Sequence, residues 1–221
     1  MAIKSAVTTT ANSSNRNINY ANSILPEITR NTTWTRASDW LTLTAVTNTD
    51  QKFVGLFAVW ENSPNFCTVR CSTSAGTWTV NWGDGTTETV TSGTLRTHQY
   101  SYTNAALDGT TSTRGYKQAI VTVTPTTANI TSFQIHERYT AATGATGAGT
   151  ANTRYAVNWL DISLSLPYAT TLTFTDSSST NCPYLEQVKI YKLANSMTLS
   201  LIHISEPTRQ AEISYAVFCL K

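Results

Sequence analysis

The residues best suited to chemistry stand close together: Asp84, Glu88 and His98, with Cys67 and Cys71 upstream and Asp108 and His136-Glu137-Arg138 downstream. Imidazoles and carboxylates are the side chains that most often move protons in catalysis. Paired carboxylates of the glycosidase kind, however, must converge across a cleft. Asp84 and Glu88 instead fall within one short hairpin pattern, where capping the turn is the expected role. Asp84 with Asp108 offers too few oxygens for calcium, which takes about six to eight. Cys67-x3-Cys71 has metal-ligand spacing, yet no further Cys or His pair follows at zinc-site distance. Positions four apart on a strand face the same side, so both thiols read as small buried groups; a Cys67–Cys71 disulfide would demand a bend between them. No G-x-S-x-G, H-E-x-x-H, Walker-type loop or G-x-G-x-x-G occurs. The expectation is therefore a chain with no catalytic residue, no metal and no cofactor. His98, in His98-Gln99-Tyr100, is expected to bond backbone together with the Tyr100 hydroxyl, and His136 to sit on a solvated strand edge.

These side chains are positioned by strands. Trp78-Thr79-Val80-Asn81-Trp82 alternates, with Trp78, Val80 and Trp82 on one face. Gly83-Asp84-Gly85 breaks the run as a tight turn, since glycine accepts positive φ and Asp caps nearby N–H groups. Thr86 to Val90 is the return strand. Ala119 to Pro125 is a β-branched strand closed by proline. Phe53 to Trp60 is an apolar run of strand length, expected to be buried on both sides, and Phe66 to Val69 a second strand. The expected core gathers Trp40, Val54, Leu56, Ala58, Trp60, Val80, Trp82, Tyr100, Ile120, Val121 and Val123.

Three pieces, Trp82-Gly83-Asp84-Gly85, His98-Gln99-Tyr100 and Val121-Thr122-Val123, together resemble the PKD-like immunoglobulin-type module. The resemblance implies an all-β fold with an immunoglobulin-like (PKD-like) sandwich over residues 34–125, in which Trp82, Gly83, Asp84, Gly85, His98 and Tyr100 are structural. The insertion from Ser101 to Tyr116 is longer than the turn usual in that family.

After Pro125 the pattern changes. Ile130-x-x-Phe133-x-Ile135, Ala169-x-x-Leu172-x-Phe174 and Leu185-x-x-Val188-x-Ile190 share one frame, which would stack inward side chains rung upon rung. Cys182-Pro-Tyr-Leu185 is similar to the C-x-x-L entry of BspA-like, leucine-rich-type repeats. Residues 126–198 are thus expected to form the truncated start of a β-rich, solenoid-like region. Within it, Ala141 to Thr150 is a low-complexity loop and Trp159 to Leu166 a strand stopped by Pro167. Residues 1–33 are polar and read as an extended arm.

The last segment reads as foreign. Leu199 to Arg209 and Ile213 to Leu220 can be encoded by an in-frame sequencing adapter, with an index-sized gap at Gln210-Ala211-Glu212. The expectation is a non-native tail over 199–221 and a reading frame cut near Thr198. Without that tail the chain has 13 basic and 11 acidic side chains, against 15 and 13 with it. Charge so sparse and balanced implies neither nucleic acid nor a membrane surface. The start lacks a secretory h-region and nothing approaches a membrane span. Together with the resemblance, this implies a bacteriophage virion component of the tail or capsid surface, assembled in the host cytoplasm. Its expected partners are other virion proteins and a host surface glycan or protein, met through loops such as Ser101 to Tyr116, with Tyr102 and Tyr116 as exposed binding aromatics. The alternative is a BspA-like adhesin at a bacterial cell surface, or a carbohydrate-binding accessory domain.

Overall fold

A computed structural model describes residues 34–62, 64–136, 156–174, 182–196 and 198–201. The chain divides into two units, Met1–Arg36 and Ala37–Lys221. Of the first, only Trp34 to Arg36 are described, and they have no regular structure. The expected arm over 1–33, the low-complexity loop and the tail beyond Leu201 lie outside the described residues.

The second unit is all-β. Its strands are β1 (Lys52–Val59), β2 (Phe66–Thr73), β3 (Thr77–Asn81), β4 (Thr87–Thr91), β5 (Leu95–Gln99), β6 (Lys117–Pro125), β7 (Ile130–His136), β8 (Trp159–Leu166), β9 (Thr171–Phe174), β10 (Gln187–Leu193) and β11 (Thr198–Leu201). A 3-10 turn, Ala105–Leu107, is capped by the Asn104 side chain. The strands form two sheets, one ordered β10-β8-β1-β6-β3-β4 and the other β11-β9-β7-β2-β5. β11 crosses the position where the foreign tail was expected to begin. No helix among the described residues is long and apolar enough to cross a membrane.

The elements follow from their residues. β1 is Phe-, Val- and Leu-rich and lies between β6 and β8, so its residues Phe53 to Val59 are all buried. β3 and β6 alternate, sending Trp78, Val80, Ala119, Val121 and Val123 inward. One facing differs from expectation: on β1 it is Phe53, Phe57 and Val59 that join the core between the sheets, while Val54, Leu56 and Ala58 are buried on the other face. Trp60 and Ile120 are half-buried.

An aromatic stack closes the sandwich. Phe53 of one sheet lies over Phe133 of the other at 4.5 Å, and Trp159 stands edge-on to both Phe53 and Phe57. Trp159 reaches this place through two local devices. In the β1–β8 ladder Leu56 opposes Asp161 while Phe57 opposes Trp159, so Leu160 is an extra, bulged residue that turns Trp159 and Ile162 to the same face. Gly55 leaves the ring its seat, for a Cβ there would lie 2.4 Å from a Trp159 ring carbon. Such interlocking of large rings contributes about 0.5–1.5 kcal/mol per pair beyond area burial.

The strands after Pro125 do not stand apart as a separate body. β7 and β9 extend the β2 sheet, and β8 and β10 extend the β1 sheet. Their pairing nevertheless differs in kind. β7–β9, β9–β11 and β8–β10 are parallel, whereas every ladder among β1 to β6 is antiparallel. The chain alternates between sheets as it advances, returning beside itself: Asp161 pairs with Gln187, 26 positions on, and Thr171 with Thr198, 27 on. The expected rungs are distributed accordingly. The Phe133 and Leu172 frames do stack, but the Val188 frame lies in the opposite sheet, and β11 takes the place beside β9.

Candidate functional site

The Gly83-Asp84-Gly85 turn joins β3 to β4, and its glycines have φ of 79° and 91°. The Trp82 amide donates to the Thr86 carbonyl at 3.0 Å, closing the turn. Gly83 is required twice over: beyond its φ, a Cβ would meet the Ile120 backbone at 2.5 Å. Asp84 then caps the turn from within. Its Oδ1 accepts from the Thr86 amide at 3.1 Å and the Thr86 hydroxyl at 2.6 Å. Its Oδ2 accepts from His98 Nε2 at 2.7 Å and from Asn104 Nδ2 at 3.4 Å.

His98 arrives from β5 and is held on two sides. Its ring stacks on Trp82 at 4.9 Å and meets Tyr100 edge-on at 4.6 Å. The Tyr100 hydroxyl donates to the Trp82 carbonyl at 2.7 Å. Trp82 Nε1 donates to Glu88 Oε1 at 2.8 Å, and Arg96 Nε lies 3.4 Å from Glu88 Oε2. Trp82, Asp84, His98 and Tyr100, expected from sequence to be structural, are thus brought into one contact set. Glu88 belongs to it through the indole, and Asn104 joins from the long loop. Asn104 was not foreseen; its only local signal is a capping residue before a short helical turn.

The electrostatics follow. Burial pulls the Asp84 carboxyl upward, but the His98 and Thr86 hydrogen bonds and the His98 charge outweigh it and hold the group at about 2. Burial pushes the Tyr100 hydroxyl well above its usual range. Cys67 stands opposite His98 in the β2–β5 ladder, a Cys–His arrangement of the kind used in nucleophilic catalysis. Burial, however, raises the Cys67 thiol well above its ordinary value and pushes Cys71 up to about 12, so the thiolate is disfavoured at both. Cys67 and Cys71 are free buried thiols, and Cys182 is buried as well. Among the described residues no three His, Cys, Asp or Glu side chains converge as a metal site.

The expected binding loop, Ser101 to Tyr116, is pinned rather than loose. Asp39 Oδ2 accepts from the Thr113 amide and hydroxyl at 2.7 and 2.8 Å. Buried Gln118 bonds the Asp39 and Thr110 carbonyls and the Leu41 amide. Leu107 is fully buried, and Lys117 Nζ reaches Asp108 at 2.7 Å. The two aromatics separate. Tyr102 is half-buried, donates to the Gly115 carbonyl at 2.9 Å and lies beneath Lys117. Tyr116 is only 1% exposed, contrary to the expectation of an exposed contact residue, because its ring packs on Trp60 and its hydroxyl accepts from Trp40 Nε1 at 2.7 Å. His136 is likewise not on a solvated edge. It is buried opposite Thr68, because β7 lies inside its sheet between β2 and β9.

The exposed large apolar side chains of the described residues lie elsewhere: Tyr168, Tyr184 and Tyr191, all after Pro125. No family model, curated protein or solved structure matches this chain.

Proposed function

We propose that this chain is a structural and binding protein, a bacteriophage virion component of the tail or capsid surface, which displays loops from a rigid all-β scaffold for host-surface recognition. The PKD-like sandwich and the solenoid-like continuation are the finer reading of its two-sheet fold. The observation that carries the proposal is the Asp84–His98 constellation. The residues with catalytic potential are occupied in holding a turn, with both Asp84 oxygens and His98 Nε2 already bonded inside the protein. Such a group fixes backbone, which suits a scaffold rather than a reactive centre. Other virion proteins are its structural partners, and a host glycan or protein its ligand. Immunogold labelling of purified particles with an antibody against this chain should decorate the virion surface, and the recombinant protein should compete with particles for adsorption. Absence of label and of competition overturns the reading.

A second reading, a BspA-like adhesin on a bacterial surface or a carbohydrate-binding accessory domain, is favoured by one observation, the parallel pairing of β7 with β9 and β8 with β10. Label on the outer surface of uninfected cells would select it.

A further inference from the structure

We infer that Trp60 and Tyr184, with the Arg114–Glu186 pair at their side, form a shallow site for a neutral hexopyranose sugar. The inference deepens the display reading by naming a site and a ligand class.

Three separate segments build the patch. Trp60 follows the end of β1, Tyr116 stands just before β6, and Tyr184 lies in the approach to β10. Tyr116 packs against Trp60 with ring centroids 4.9 Å apart and planes 59° apart, and Tyr184 meets Trp60 at 6.0 Å and 44°. Tyr184 is 46% exposed, while Trp60 is half-buried. Trp60 is fixed from its backbone side: its amide donates to Asn65 Oδ1 at 2.7 Å and its carbonyl accepts from Asn65 Nδ2 at 2.6 Å. Asn65 holds a φ of 49°, the single positive value among described non-glycine residues. A left-handed residue kept in place by two side-chain bonds is a costly way to hold one tryptophan, and such conformations concentrate at binding sites. The approach to β10 is tied down as well, by the Glu186 amide donating to the Leu160 carbonyl at 2.8 Å.

The chemistry of the patch selects its ligand. Two aromatic faces inclined to one another suit the C–H face of a pyranose ring, which is apolar and slightly positive. Arg114 and Glu186, close in the chain to Tyr116 and Tyr184, bring Nη1 and Oε1 to 3.4 Å, with exposures of 53% and 24%. A guanidinium and a carboxylate offer donors and acceptors suited to vicinal hydroxyls. Because they neutralise each other, the patch favours a neutral ring over an acidic sugar. The Trp60 Nε1–H is buried without a hydrogen-bond partner, an unsatisfied donor at the base of the patch. Two rings and one ion pair fall well short of the roughly 800 Å² per partner of a stable protein interface.

The test is saturation-transfer NMR of the full chain with lactose, maltotriose, chitotriose, mannotriose and, as the acidic control, sialyllactose. At least one neutral sugar should receive saturation. Tyr184→Ala should weaken that binding about tenfold or more with an unchanged thermal melt, since the ring is half in solvent, and Tyr184→Phe should restore it. Tyr191→Ala, an exposed tyrosine outside the patch, should leave binding unaltered. Transfer to none of the neutral sugars, equal binding by Tyr184→Ala, or preference for sialyllactose overturns the site. If the protein still competes for particle adsorption in that case, the display reading stands while the sugar site falls. Sugar binding by a protein absent from purified particles supports the site and removes the virion reading.

Discussion

The strands before and after Pro125 share the same two sheets yet are held together by different means. From β1 to β6 the ladders are antiparallel, and the structure rests on tight turns held by side chains: Asp84 and Asn65 each close their own turn, and Ser92 ties a third to β2 through its bonds to both the Thr73 amide and carbonyl. Every positive-φ glycine among the described residues (Gly76, Gly83, Gly85, Gly93, Gly109 and Gly115) lies in this part. From β7 to β11 the ladders are parallel, with no such glycine among the described residues, and strands are placed by what they stack against. Antiparallel neighbours can be joined by two residues, so local chemistry sets their register; parallel neighbours need a longer excursion, and burial sets it instead. One core is thus specified locally at one end and collectively at the other. Phe53 on Phe133 is where the two modes meet.

Phe133 is the point at which the two parts are most directly uncoupled. Phe133→Ala should cost about 3–5 kcal/mol, as large-to-small changes at fully buried aromatics do. Because the ring joins both parts, the loss should appear in urea unfolding as one transition followed equally by probes in β3 and β10; two separated transitions would show the parts to be independent. Gly83→Ala comes next, at about 3 kcal/mol, since it combines a positive φ with a backbone collision at Ile120. The equivalent strain has no counterpart in the described strands after Pro125.

Asp84→Asn should cost about 2 kcal/mol by weakening the charged hydrogen bonds from His98 and Thr86. Its pH signature has a definite sign. The carboxyl is held at about 2, below its usual 3.8, so its contribution to stability is present above 3.8 and fades as pH falls towards 2. Acid unfolding curves of the wild type should steepen in that window relative to Asp84→Asn. The smallest effect belongs to Arg114→Ala, which removes a half-exposed ion pair to Glu186 and should change stability by less than about 1 kcal/mol. A larger loss in thermal melts would mean that this link between the two parts matters more than its exposure allows.

Much of the antiparallel part was legible in the residues. Trp78, Val80 and Trp82 alternate around a glycine-flanked aspartate, and the hairpin they imply is the one found. His98 and Tyr100 were read as backbone-holding; Tyr100 does bond the Trp82 carbonyl, whereas His98 bonds the Asp84 carboxylate. The failures share a cause. Tyr116 closes a long insertion and His136 ends a strand, where exposure is the ordinary expectation, and each is buried by a strand or ring distant in sequence. The Val188 frame has the same spacing as its neighbours, but spacing does not record which of two sheets a strand joins.

The period-two strands and the glycine turns follow from the sequence alone, because each depends on a few adjacent side chains and on φ. Only the tertiary structure decided the parallel winding after Pro125, the bulge that aims Trp159 at Gly55, and the meeting of Trp60 with Tyr184. Those depend on contacts between residues tens to more than a hundred positions apart, whose formation is governed by the burial of shared surface rather than by any local pattern.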